Sequence, residues 1–185
     1  MRVPILATLA LLMCFALPAC KRMRYKEHIW PIEKLLFTVD SSRNAITLLD
    51  RHALHLIDSV YDGKRDSVMA LMKDTLDKPD AIVLGNFHQA MTWTLDRVWR
   101  EIDGVENELT TTRKQLIDLR HDVDHGLLSP EQEKADLATE RQFVEFAKHR
   151  AGVLCASAAR VTDEWRLHHA RVDSLLHAAP KPALP

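Results

Sequence analysis

Residues 88–130 read HQAMTWTLDRVWREIDGVENELTTTRKQLIDLRHDVDHGLLSP. Apolar residues recur in this stretch at alternating intervals of three and four, which is the heptad spacing of a coiled-coil seam. The seam positions are His88, Met91, Leu95, Val98, Ile102, Val105, Leu109, Thr112, Leu116, Leu119 and Val123. Only His88 and Thr112 depart from the apolar pattern. The stretch therefore predicts a long helix with one continuous apolar edge.

A second heptad series follows the first. Its positions are Leu137, Glu140, Val144, Ala147, Ala151, Leu154, Ala158, Val161, Trp165, His168, Val172 and Leu175. If the chain folds back at Leu128, seam residues equidistant from Leu128 face each other, as Leu109 and Ala147 do. Large residues of the first helix then meet alanines of the second. Residues 81–178 therefore predict an antiparallel two-helix coiled-coil hairpin.

The residues between the two series favour a tight turn. Gly126 suits the left-handed position that follows a helix C-terminus. Ser129, Pro130 and Gln132 are typical of a helix N-cap, the first helical residue and a capping-box partner. We assign Gly126, Ser129 and Pro130 as structural turn residues.

Shorter helices are predicted before the hairpin. Residues 29–39 form an apolar cluster, and Asp40 with the two serines after it suits the N-cap of a helix over residues 46–61. Gly63 ends that helix, and another runs over residues 64–76. The predicted fold is all-α: a long antiparallel two-helix coiled-coil hairpin with two or three shorter helices packed on its base. Residues 105–150 are then a bare two-helix arm.

The N-terminus carries a different pattern. Residues 5–17 are apolar but too few to cross a bilayer as a mature helix, and Arg2 precedes them. The sequence Leu17-Pro18-Ala19-Cys20 resembles the lipobox of bacterial lipoprotein precursors. The resemblance implies cleavage before Cys20, a diacylglycerol on its sulfur and an acyl chain such as palmitate on its amine. An ordinary secretory signal with a chance cysteine is the alternative interpretation.

These patterns predict four segments. Residues 1–19 are a signal peptide, 20–28 a lipidated tether, 29–178 the helical hairpin domain and 179–185 a disordered Pro-rich tail. The tether is basic, which suits anionic headgroups. No acidic residue directly follows Cys20. Its absence favours the outer membrane for a bacterial membrane-anchored lipoprotein, facing the periplasm or the cell surface.

Charge and motifs limit the function classes. The formal net charge of −1 argues against a nucleic-acid partner, because no basic excess is present to neutralise phosphates. The sequence has no Gly-rich phosphate loop and no CxxC pair, so we expect neither a cofactor nor an enzyme. The favoured function is a binding or structural module of the bacterial cell envelope. Its partners are the membrane, through the anchor, and another envelope protein or a second copy of the chain.

Two seam histidines are the candidate site. His88 and His168 are equidistant from Leu128, so they are predicted to share one layer of the seam. A polar layer that fixes the helix register is one interpretation. A zinc, copper or nickel site completed by His52 and His55 is a second, and a pH-responsive layer is a third.

Two further predictions concern the region near the turn. Glu140 occupies a seam position, where it is either solvated or paired with Arg113 or Arg141. Leu128-Ser129-Pro130-Glu131-Gln132 resembles the Leu-Thr-x-x-Gln motif of small helical periplasmic chaperones and zinc-responsive proteins. That resemblance implies the alternative function: a periplasmic stress- or metal-responsive helical protein with a concave face for unfolded clients.

Overall fold

The computed structural model describes residues 25–73 and 76–178, with side chains from Glu27 onward. The predicted signal peptide, Cys20 and the tail 179–185 lie outside these residues. Every regular element of the described chain is helical, which confirms the all-α class. The elements are a π-helical turn Tyr25–Ile29, α1 Trp30–Thr47, α2 Arg51–Asp62, α3 Arg65–Leu71, α4 Lys78–Gln89, a π-helix Ala90–Thr94, α5 Leu95–His125 and α6 Pro130–Ala178.

The described chain divides into two compact units. The first unit takes the residues up to Ser41 together with Glu108–Lys148. The second unit takes Ser42–Asn107 and the residues from His149 onward. Helices α1, α5 and α6 contribute residues to both units.

The predicted seam positions supply much of the core in each unit. In the first unit the buried ones are Leu109, Thr112, Leu116, Leu119, Val123, Val144 and Ala147. In the second unit they are Met91, Leu95, Val98, Ile102, Val105, Ala151, Leu154, Ala158, Val161 and Val172. The partly exposed positions are His88, Leu137, Glu140, Trp165, His168 and Leu175. Burial of this apolar surface is the main favourable term in folding.

Helix α1 is longer than predicted, and the N-cap proposed at Asp40 is wrong. The helix continues through Asp40 to Thr47. Its apolar stripe is uninterrupted there, because Val39 and Ile46 are both buried. The cap of α2 is instead Asp50, whose carboxylate accepts from the Ala53 backbone N–H at 2.8 Å.

The prediction of a bare arm is also wrong within the first unit. The Asp40 carboxylate accepts from Arg113 Nε at 2.7 Å, and the Glu33 carboxylate accepts from Arg120 Nη1 at 2.9 Å. Both acids lie on α1, and both arginines lie on α5. As the residue number rises along α1 it falls along α5, so the two helices run antiparallel. Helix α1 therefore lies along this part of α5.

The turn between α5 and α6 has the geometry of a Schellman motif followed by a capping box. Gly126 has a φ of 66°, and the Leu127 N–H donates to the Asp122 carbonyl at 2.9 Å. The Gln132 N–H donates to Ser129 Oγ at 3.2 Å, and Gln132 Oε1 accepts from the Ser129 N–H at 2.9 Å. Pro130 is the first residue of α6. The turn thus satisfies backbone groups at both helix ends.

Short helices complete the second unit. Helix α3 ends at Leu71, before the predicted residue 76, and its buried residues are Val68 and Leu71. Helix α4 begins after Asp77, whose side chain accepts from the Asp80 N–H at 3.0 Å. Ion pairs then join these helices to α6. Lys64 Nζ lies 2.6 Å from the Asp173 carboxylate, and Arg171 makes two hydrogen bonds to Asp80.

Candidate functional site: two grooves beside a π-helix

The helical ladder is interrupted between α4 and α5 by the π-helix Ala90–Thr94. The Leu95 N–H donates to the Ala90 carbonyl, which is one residue farther back than in an α-helix. The widened turn buries Ala90, Met91 and Thr94, whereas 74% of Trp93 is exposed. Single π-turns occur often at functional sites, and here a groove lies on each side of Trp93.

On one side of Trp93 lies an acidic groove of about 660 Å³, within the second unit. Its lining is His55, Asp58, Ser59, Asp62, Arg65, Met69, His88, Met91, Thr92, Trp93, Asp96 and Trp99. On α2, Asp58 and Ser59 are each three or four residues from both His55 and Asp62, so these four residues share one helix face. Three aspartates and one arginine give the groove a formal charge of −2 when its histidines are neutral.

Aromatic and cationic side chains shape this groove. The His55 ring stacks on Trp99 with the ring centroids 4.1 Å apart. Arg65 Nη2 lies 3.1 Å from the Asp62 carboxylate, and the guanidinium carbon lies 5.9 Å from the Tyr61 ring centre. Trp99 Nε1 and Arg65 Nε are buried and have no hydrogen-bond partner. The walls therefore hold two donors whose burial is uncompensated.

His88 is held at the edge of the groove by Tyr61. The Tyr61 hydroxyl and His88 Nδ1 are joined by a hydrogen bond. Burial raises the pKa of Tyr61 to about 12, and nearby Arg65 opposes that rise. Burial, and then the Arg65 charge, lower the pKa of His88. When both groups are neutral, the tautomer of His88 sets the direction of this bond: the phenol donates to a bare Nδ1, or an Nδ1–H donates to the phenol oxygen.

The structure gives the two predicted histidines different partners. His88 bonds to Tyr61, whereas His168 Nε2 lies 3.7 Å from Glu164 Oε2. None of the described contacts joins the two histidines. His55, a proposed additional metal ligand, stacks on Trp99 instead. Within residues 25–73 and 76–178, no three His, Cys, Asp or Glu side chains are grouped as a metal site requires.

The other side of Trp93 is a basic groove of about 530 Å³, which the sequence analysis missed. Its lining is Gln89, Trp93, Thr94, Arg97, Arg100, Val153, Ala156, Ser157 and Arg160. This described lining has three guanidinium groups and no carboxylate. Arg97 and Arg160 are almost equidistant from Leu128, so the predicted hairpin register could have placed these like charges together.

In the first unit, Glu140 is the charged residue at a seam position. Its Oε2 atom is buried and has no hydrogen-bond partner. Burial, and then the Asp136 charge, raise the pKa of Glu140. Arg113, one of its two predicted partners, pairs with Asp40. Glu140 is therefore an unfavourable interruption of an apolar seam.

Comparison of the chain with protein-family models, curated proteins and solved structures finds no match. Among the described residues, no helix has the length and apolar character needed to cross a membrane.

Proposed function

We propose that this chain is a membrane-anchored helical lipoprotein that acts as a binding or structural module in the bacterial cell envelope. The observation that carries the binding role is Trp93. This exposed indole lies on a π-helix and borders two grooves of opposite charge. Exposed aromatic side chains beside well-placed polar groups are typical of binding sites. The anchor is proposed on Cys20, from the lipobox resemblance.

We further propose that the long helices form the antiparallel hairpin predicted from the heptads. Four contacts of the second unit support it: Asp80 with Arg171, Phe87 with Trp165, Gln89 with Arg160, and Arg97 with Ser157. The residue number falls along α6 as it rises from α4 to α5, which is the order an antiparallel pair requires. The turn at Gly126 and Ser129 supplies a compact connection.

Metabolic labelling tests the anchor. The chain is expressed in a bacterial host with radiolabelled palmitate, and membranes are isolated. We expect label in the wild-type chain and none in Cys20→Ala, because the proposed acylation depends on this cysteine. Equal labelling of both chains, or of neither, contradicts lipidation at Cys20.

Hydroxyl-radical footprinting tests the binding role. The oxidation of Trp93 is compared between native membranes and purified chain. Trp30, which is 48% exposed and lies in the first unit, is the control. We expect protection of Trp93 but not of Trp30 in membranes, since a bound partner would cover the grooves. Equal oxidation of Trp93 in both samples argues against a partner bound at the grooves beside Trp93.

A periplasmic stress- or metal-responsive, chaperone-like protein is the second candidate. The first unit favours it by exposing Leu127, Phe143 and Phe146 at 63%, 48% and 57%. Exposed apolar side chains of this size are suited to contact unfolded clients. Suppression of client aggregation at substoichiometric protein, lost in Phe143→Ser/Phe146→Ser, supports this candidate. No suppression by the wild-type chain counts against it.

A further inference from the structure

We infer that the basic groove binds a phosphate ester. This inference rests on the proposed function, because it names the ligand class of one of the two grooves beside Trp93. The ligand can be a soluble phosphate monoester or the phosphate of a lipid headgroup. Both present anionic phosphate oxygens beside a small organic group.

The argument begins with the partners of the arginines. Several described arginines pair with carboxylates: Arg51, Arg100, Arg113, Arg120, Arg166 and Arg171. Two of the three groove arginines differ: Arg97 Nη2 donates to Ser157 Oγ at 2.9 Å, and Arg160 Nη2 donates to Gln89 Oε1 at 3.1 Å. These two acceptors are neutral. They orient the guanidiniums without neutralising their charge.

The neutral partners also leave hydrogen-bond donors for a ligand. A guanidinium has five N–H donors, so one bond to Ser157 or Gln89 leaves others available. The Ser157 hydroxyl donates to the Val153 carbonyl at 2.8 Å, which directs its lone pairs towards Arg97. The amide nitrogen of Gln89 adds further donors beside Arg160. The groove thus offers donors from both α5 and α6, with no lining carboxylate to repel an anion.

The shape of the groove favours a phosphate ester over a bare ion. Its volume of about 530 Å³ lies within the range of small-molecule sites. Arginine forks match the oxygens of a phosphate in bidentate fashion. Trp93, Val153 and Ala156 form an apolar wall beside the arginines, against which the carbon skeleton of an ester can pack.

Arg100 ranks below the other two arginines as a ligand contact. Its Nη2 lies 3.0 Å from the Asp96 carboxylate, so its charge is already largely compensated. Arg166 provides a matched control. It lies on the same helix as Arg160, is mostly exposed and pairs with Asp163, but it does not line the groove.

Calorimetric titration of the full-length chain in neutral detergent micelles tests the inference. The probes are inorganic phosphate and glycerol 3-phosphate, used at low ionic strength because screening weakens exposed charge interactions. We expect binding of glycerol 3-phosphate near 1 mM or tighter. Arg97→Gln and Arg160→Gln should each weaken it about tenfold, the loss expected for one charge-assisted contact. Arg100→Gln should lose less, and Arg166→Gln should match the wild-type chain.

A vesicle assay distinguishes the two sources of the phosphate. The wild-type chain and Arg97→Gln/Arg160→Gln are compared on phosphatidylglycerol and phosphatidylcholine vesicles. Both chains have the same apolar N-terminus, so its contribution to vesicle binding is the same in each. A wild-type preference for phosphatidylglycerol that the double variant loses identifies a lipid headgroup. Binding of glycerol 3-phosphate without that preference identifies a soluble ester.

The inference is overturned if neither probe nor vesicle separates the wild-type chain from the double variant. It is equally overturned if Arg166→Gln loses as much affinity as Arg97→Gln. Circular dichroism melting of each variant confirms that it is folded before binding is compared. If the wild-type chain does not bind glycerol 3-phosphate or prefer phosphatidylglycerol vesicles, while palmitate labelling and Trp93 protection are intact, the ligand class is rejected and the proposed function is retained.

Discussion

The two units use the same heptad pattern differently. In the first unit the pattern is nearly regular: Leu109, Leu116 and Ala147 are fully buried, and two ion pairs join α1 to α5 at seven-residue spacing. In the second unit a π-helix interrupts the ladder, and the grooves lie beside that interruption. The regular α-helical ladder therefore coincides with a continuous core, whereas its interruption coincides with an exposed Trp93 and two grooves.

Removing a seam side chain from the regular unit should produce the largest effect. Leu116 is fully buried, so Leu116→Ala should lower the free energy of unfolding by about 2–5 kcal/mol. Phe146 is 57% exposed, so Phe146→Ala should change it by less than about 0.5 kcal/mol. Urea denaturation followed by circular dichroism measures both. Similar losses in the two variants would show that the seam does not form the core.

Repairing the seam should stabilise the chain. Glu140→Leu replaces a carboxylate that has a buried, unpartnered oxygen with an apolar seam residue. We expect the free energy of unfolding to rise by about 1 kcal/mol. Glu145→Leu is the control, because Glu145 is exposed and its pair with Lys148 lies at the surface. A loss of stability in Glu140→Leu would mean that the carboxylate has a favourable role in the fold.

Two glycine substitutions should change the stability of the chain in opposite directions. Gly126 has a positive φ, so Gly126→Ala should cost about 1 kcal/mol. Gly152 lies inside α6 with open space around an added Cβ, so Gly152→Ala should stabilise by about 0.5–1 kcal/mol. Thermal unfolding of both variants checks the signs. The same sign for both would contradict the turn geometry or the helical placement.

The smallest expected effect is the pH dependence contributed by His88. Burial and the Arg65 charge lower its pKa in the folded state, so the unfolded chain binds the proton more readily. The stability contributed by neutral His88 is therefore present above about pH 6.5 and is lost as the pH falls through the lowered pKa. Thermal melts from pH 5 to 8 should show a shallower acid loss in His88→Gln. A steeper acid loss in the variant than in the wild-type chain would contradict a lowered pKa of His88.

The sequence predicted the parts of the molecule that repeat. Seam residues such as Val98, Leu109 and Val161 are buried, and Gly126 with Ser129 forms the turn, because heptad spacing and capping residues act locally. The extent of α1 was missed because Asp40 has a tertiary partner, Arg113, which overrides its preference for an N-cap. A local pattern cannot identify such a partner.

The candidate site was harder to predict. The histidine pair was inferred from register alone, whereas burial beside Tyr61 determines the contacts of His88. The heptad spacing places Trp93 off the seam, but the π-helix has no signature in the residues Ala90 to Thr94, and the grooves on either side of Trp93 could not be predicted. The sequence analysis gave the groove arginines no role, and only the three-dimensional structure shows that Arg97 and Arg160 have neutral partners.

Nuclear magnetic resonance of the tryptophan indoles tests most directly whether binding belongs to the interrupted unit. The chain has four tryptophans, of which Trp93 borders the basic groove and Trp30 lies in the first unit. Full-length chain labelled with nitrogen-15 is titrated with glycerol 3-phosphate. We predict a saturable shift of the Trp93 indole signal while the Trp30 signal stays in place. No saturable shift of Trp93, or an equal shift of Trp30, would contradict a binding site at the π-helix.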